Sequence, residues 1–160
     1  MALEQYGERE RKVMQLAEEA VERGANRLAE IRSFALRAGF KKIGIAHCAA
    51  VTKEAVAAAE FLSKDFEVLI IECKTEQIPK SEFLGEGAAG ISCNPLGQAE
   101  YLNANGSELN IVMGICMGHD ILLTQNAKAP CTTLLVKDRV HRHNPMEGIK
   151  QLMEQKQLVG

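Results

Sequence analysis

Leu109 to Asp120 reads LNIVMGICMGHD, and this stretch decides how the chain is read. Its first half is apolar but for Asn110, as expected of a strand covered on both faces of a parallel sheet. Its second half places Cys116, Gly118, His119 and Asp120 within five residues. In open α/β sheets, ligands bind outside the carboxyl ends of the strands. The stretch therefore predicts both a fold class and the edge of that fold where chemistry belongs.

Working outward, KKIGIAHC (Lys41–Cys48), FEVLIIEC (Phe66–Cys73) and CTTLLV (Cys131–Val136) read as three further strands. Helical patterns lie between them. Thr52 is a candidate cap for a helix over Lys53–Lys64. Asn94-Pro95 opens a helix to Ala104, with Asn at the cap and Pro at the first helical position. His119 or Asp120 begins a short helix to Thr124. An amphipathic helix runs from Pro145 to Gln155. Before the first strand, helices are predicted over Leu3–Arg23 and Asn26–Arg37, the second closed by Gly39. Thr75–Ile91, with Pro79, Gly85, Gly87 and Gly90, reads mostly as loop. A connection of that length is either functional or a surface excursion.

Alternation of strand and helix predicts an α/β fold. The expected architecture is a three-layer, mostly parallel sheet of four to five strands, flavodoxin- or Rossmann-like, with an N-terminal helical extension. The expected strand order is 2-1-3-4, with the switch point between the first and third strands. The 160 residues are read as one domain, residues 1–39 packing on the sheet.

Composition narrows the function classes. A net charge of −2 offers no general attraction to nucleic acid or anionic membrane. Aromatic content of 4% without Trp leaves little for base stacking. No apolar run approaches the ~20 residues of a membrane span, and the opening MALEQYGERERK lacks the apolar core of a signal peptide. A cytoplasmic location is expected, with a small molecule as the possible ligand. Five cysteines, an odd number, argue against a disulfide framework.

The cysteines carry the functional reading. Cys48, Cys73 and Cys116 follow successive strands, and Cys93 precedes a helix. The topology would bring all four to one rim, Cys116 facing Cys48 across the switch point. Thiolates suit Zn²⁺ or an Fe–S cluster, so Cys48, Cys73, Cys93 and Cys116, with His119 as a substitute, are candidate metal ligands. No C-x-x-C pair supports this, and a free cysteine at a strand end is commonly a small buried hydrophobe. A second reading makes Cys93 or Cys116 a reactive thiol, Cys93 aided by a helix dipole and Cys116 by His119, with Asp120 orienting the ring. Against that, His119-Asp120 is also an ordinary helix start. A third reading is an anion- or metabolite-binding module using the amides at Met117-Gly118. Arg139, His141, Arg142 and His143 form a basic loop whose plain reading is a solvated turn. No phosphate-loop or dinucleotide fingerprint is present.

The runs GFKKIGIAHC, FEVLIIECK, SCNPLGQAEYLN, SELNIVMGICMGHD and APCTTLLVKDRVHRHNP resemble the DUF1847 family of uncharacterised prokaryotic proteins, often labelled metal-binding. The resemblance spans Ile31 to Ile149, and CNP-x-x-QA and G-x-C-x-GHD are its most specific motifs. The matching positions are Cys48, Cys73, Cys93, Asn94, Pro95, Cys116, His119 and Asp120, then Lys137-Asp138-Arg139 and His143-Asn144-Pro145. The resemblance implies a bound metal and brings no reaction with it. Many members also carry a cysteine cluster near the N-terminus, whereas here no cysteine precedes Cys48.

Overall fold

A computed structural model describes residues 2–157. Four strands form one sheet: β1 (Lys42–His47), β2 (Glu67–Glu72), β3 (Leu109–Met113) and β4 (Cys131–Leu135). Their order is β2-β1-β3-β4 and every pairing is parallel, as the alternation of elements predicts. Ile43 pairs with Val68 on one side and Leu109 on the other, which puts the carboxyl ends of β1, β2 and β3 at one rim. The ladder between β3 and β4 is irregular between Val112 and Met113.

The burial pattern explains the sheet. Every residue of β3 is buried, and so are Ile43 to His47 of β1. The two outer strands are only partly buried. Central strands covered on both faces have no polar face to alternate with. Helices flank the sheet: α3 (Thr52–Leu62) packs on β1 and β2, and α5 (Pro95–Ala104) packs on the same strands and on α6 (His119–Asn126). Gly44 makes one of these contacts possible. A Cβ there would meet Leu102 Cδ2 at 2.6 Å and would strike the Asn110 side chain, so α5 sits against bare β1 backbone.

Some boundaries differ from the sequence reading. The helix expected from Leu3 to Arg23 is divided into a 3₁₀ turn at Ala2–Gln5 and α1 (Glu8–Ala20), because Gly7 is extended with ψ −176°. Then α2 (Arg27–Ala38) follows; Asn26, read as its first residue, is its N-cap, the side chain accepting from the Ala29 amide. Thr52 does not cap α3; it is the first helical residue, and its hydroxyl donates to the Ala49 carbonyl. A 3₁₀ turn over Ala49–Val51 takes up the space where the cap was expected. α6 begins at His119, one of the two expected starts, with Gly118 at its N-cap.

The glycine-rich connection is built rather than open. A 3₁₀ turn at Thr75–Gln77 and the short α4 (Ser81–Leu84) lie within it. Its two ends clasp each other: Pro79 bridges Ile91, Lys80 N donates to Gly90 O, and Ser92 N donates to Ile78 O. The last helix, α7, spans Pro145–Gln157. Among the described residues no helix is long and apolar enough to cross a membrane.

Candidate functional site

Each thiol reaches the rim by an identifiable backbone route. The Cys48 amide donates to Met113 O at 3.0 Å, extending the ladder one residue past β1. Cys73 follows β2 directly. Its carbonyl accepts from the Asn94 amide at 2.6 Å, which draws the segment before α5 onto the end of β2. The CNP-x-x-Q motif performs this docking. Asn94 Oδ1 caps α5 through Gly97 N, Pro95 occupies the first turn, and Asn94 Nδ2 donates to Glu76. One turn on, buried Gln98 donates from Nε2 to His47 O and Ile71 O, tying α5 to the last residues of β1 and β2.

The result places Cys93 Sγ 3.5 Å from Cys73 Sγ. The sequence reading expects four convergent sulfurs; the structure assembles three of them along a path of contacts. Cys93 donates to Cys73, and Cys73 in turn receives the Ala49 amide at 3.5 Å, next to Cys48 in the chain. Cys48 also receives the Ala50 amide at 3.5 Å and the Lys137 ammonium at 3.2 Å. Burial by itself would raise the Cys48 thiol, but the Ala50 N–H, Lys137 and Cys73 together hold it below the ordinary thiol range. The opposite holds one residue along the path. Burial pushes Cys73 up to about 12, partly offset by the Ala49 amide and reinforced by Cys93 and the Cys48 charge. Of the two, Cys48 is the thiol whose ionised form is favoured, and Cys73 the one whose protonated form is.

Cys116 belongs to a different neighbourhood. The chain leaves β3 through Gly114 at φ +63° and enters α6 through Gly118 at φ +85°, a path that side chains with a Cβ rarely follow. Cys116 Sγ receives Arg139 Nη2 at 3.1 Å, and its carbonyl accepts the amides of His119 and Asp120. His119 is brought close in the chain, but the imidazole Nδ1 is buried without a hydrogen-bond partner. Asp120 Oδ1 accepts the Ile121 amide at the start of α6. Cys131 begins β4, so it lies at the far end of the sheet from the rim.

Lys137 and Arg139 follow β4, and the basic loop positions them. Asp138 accepts the amides of Val140 and His141 and lies 3.1 Å from His141 Nδ1. The His141 amide is the main cause of the low Asp138 carboxyl, with its imidazole adding to it. His143 Nδ1 lies 3.2 Å from Val136 O. Both histidines therefore bond within their own loop. Arg139 belongs to the basic loop that the sequence itself singles out, whereas Lys137 appears there only within the family motif; each comes from more than twenty residues away from the thiol it meets. The KDR run in the family motif was the available signal.

Cys93 and Cys116 share a cleft of about 590 Å³ with His119 and Arg139. A smaller cavity of about 380 Å³ between α5 and α6 is lined by no thiol or imidazole.

A family model described as "Protein of unknown function (DUF1847)" matches residues 1–134. The chain belongs to the DUF1847 family. The match begins before Ile31, where the resemblance was read to start, and ends ahead of Lys137 and Arg139. Among DUF1847 relatives, the "Uncharacterized protein MJ0455" of Methanocaldococcus jannaschii is 46% identical over 140 residues, covering 81% of this chain and 72% of that protein.

The metal implied for DUF1847 can be set against the donors present. The thiols are chemically suited to a soft ion. Among the described residues, however, no three His, Cys, Asp or Glu side chains are grouped to hold one. The Cys48 sulfur is already met by the Lys137 ammonium at 3.2 Å.

Proposed function

We propose that this protein is a thiol redox protein acting on a small molecule, with Cys73 and Cys93 as its dithiol and Cys48 as the acceptor of their proton. The observation that carries the reading is the 3.5 Å contact between the two sulfurs, at the same rim as the Cys48 sulfur that the Lys137 ammonium meets at 3.2 Å. Cys93 lines the cleft, so it is the thiol that meets a substrate. With a low-molecular-weight disulfide as oxidant, Cys93 passes its proton along Cys73 to Cys48 and attacks one substrate sulfur. One thiolate leaves, taking up the proton that Cys48 received, and a mixed disulfide forms. Cys73 then attacks Cys93 Sγ, its proton goes to the second leaving thiolate, and the Cys73–Cys93 disulfide closes. Two cysteine thiols and one substrate disulfide become one protein disulfide and two small thiols.

The experiment is peptide mapping after exposure of reduced full-length protein to oxidised glutathione. The expected product is a Cys73–Cys93 disulfide, formed about tenfold more slowly in Cys48→Ala, where the thiolate proton acceptor is gone. A glutathione adduct that persists on Cys93 without closing onto Cys73 would overturn the reading.

A second reading, a soft metal such as Zn²⁺ or an Fe–S cluster held by the thiols, draws on the same spacing. Two thiolates on one tetrahedral ion, each at about 2.3 Å, stand about 3.8 Å apart. It requires a third donor to turn inward and Lys137 to leave Cys48. Elemental analysis and a visible spectrum of anaerobically purified protein decide it: one metal per chain favours the metal, and metal-free protein with a reversible dithiol favours the redox reading.

A further inference from the structure

We infer that the cleft beside Cys93 and Cys116 binds a small amphipathic anion, a molecule with a carboxylate or phosphate head and an apolar body. The inference names a substrate class for the redox reading and rests on it for chemistry, but its test does not depend on it. The cleft's volume of about 590 Å³ falls in the range of small-molecule sites.

Its charges have one sign. Lys74, Lys80 and Arg139 line it, and among the described residues no Asp or Glu does, in a chain whose net charge is −2. Two helices also start at the cleft, with the Glu76 carboxylate held by Asn94 at one start and the Asp120 carboxylate capping an amide at the other. Asn94 and Pro95 open α5 onto the cleft, and His119 opens α6 onto it. The buried His119 Nδ1, without a hydrogen-bond partner among the described residues, is one more polar atom at this wall.

The rest of the lining is apolar, and unusually exposed. Phe83 and Leu84 on α4 are 65% and 73% exposed, and Leu96 and Leu122 face them from α5 and α6. Large apolar side chains left in water around a concave, cationic surface match a ligand whose body is apolar and whose head is anionic. The clasp joining Pro79 to Ile91 holds α4 in place as one wall. Arg139 donates to Cys116 Sγ, so a head group taken by Arg139 brings the ligand beside that sulfur.

The test compares iodoacetate with iodoacetamide on reduced full-length protein, following each cysteine by peptide mass spectrometry. The two reagents have similar size and differ in charge, so their rate ratio at one sulfur reports the local field and cancels that thiol's ionisation. Cys131 is the internal reference, remote from the cleft. The ratio at Cys116 is expected to exceed that at Cys131 about tenfold, to collapse in high salt, and to fall in Arg139→Gln. Lys80→Gln, at an exposed position, is expected to lower it about twofold without disturbing the fold. Protection of Cys116 by hexanoate, by butyl phosphate, or by both identifies the head group. Equal ratios at Cys116 and Cys131, indifferent to both substitutions, would overturn the inference. Alkylation needs no disulfide exchange, so failure here is separate from failure of Cys73 and Cys93 to oxidise.

Discussion

Replacing Lys137 by Met removes the one cation in contact with Cys48 Sγ, 3.2 Å away. At that distance two unit charges interact by about 5 kcal/mol at an effective dielectric of ~20 and about 1.3 kcal/mol in water. Lys137 is half-buried and Cys48 is 9% exposed, so the pair lies between these limits. About 1.5–3 kcal/mol is a reasonable working range, equivalent to about one to two pH units of thiol ionisation. The sign is fixed: the ammonium favours the thiolate, so its loss raises the Cys48 thiol. The assay is iodoacetamide labelling of Cys48 as a function of pH, quantified by peptide mass spectrometry, with Cys131 in the same sample as reference. The profile should move about one to two pH units toward alkaline in Lys137→Met and stay near wild type in Lys137→Arg. A Cys48 profile that is identical in Lys137→Met and wild type would refute the role given to this pair, and with it the assignment of charge to Cys48.

The same two thiols shape stability against pH. Cys48 is lowered from 9.0, so its contribution grows as pH rises toward that value; Cys73 is raised to about 12, so its contribution is lost as pH rises from 9.0 through 12. Thermal melts should therefore show a decline above pH 9 that is shallower in Cys73→Ala than in wild type. Gln98→Ala removes the side chain that ties α5 to His47 O and Ile71 O in a fully buried site. The expected loss is about 2–4 kcal/mol, a drop in Tm of about 4–16 °C for a chain of this size. Gly44→Ala inserts a methyl against Leu102 and Asn110. A cost of about 1–3 kcal/mol by urea denaturation is expected, and wild-type stability would show that α5 can move away freely.

The sheet was readable because its causes are local. Continuous apolar runs at Ile43–Ala46, Val68–Ile71 and Ile111–Val112, separated by helical patterns, admit few arrangements. The rim followed from topology, since parallel strands deliver their ends to one side. The partners of the thiols were not readable in the same way. Which sulfur meets which depends on the Asn94 amide reaching Cys73 O and on the length of the Gly114–Gly118 turn, and neither has a periodic signature. Lys137 and Arg139 lie beyond the last strand, where a KDR run looks like a solvated turn until β4 sets it beside β3. The cleft's wall was hidden for a related reason: Thr75–Ile91 has loop composition, and only the pairing of Pro79 with Ile91 makes it a structure.

The central claim is that Cys73 and Cys93 form a working dithiol, and its most direct measurement is their equilibrium oxidation in glutathione buffers of defined potential, trapped by acid and read by differential alkylation. The prediction is a single two-electron transition in which Cys73 and Cys93 lose alkylation together, reversibly, while Cys131 stays reduced throughout. Independent oxidation of the two cysteines, or a pair that remains fully alkylated across the buffers, would contradict it.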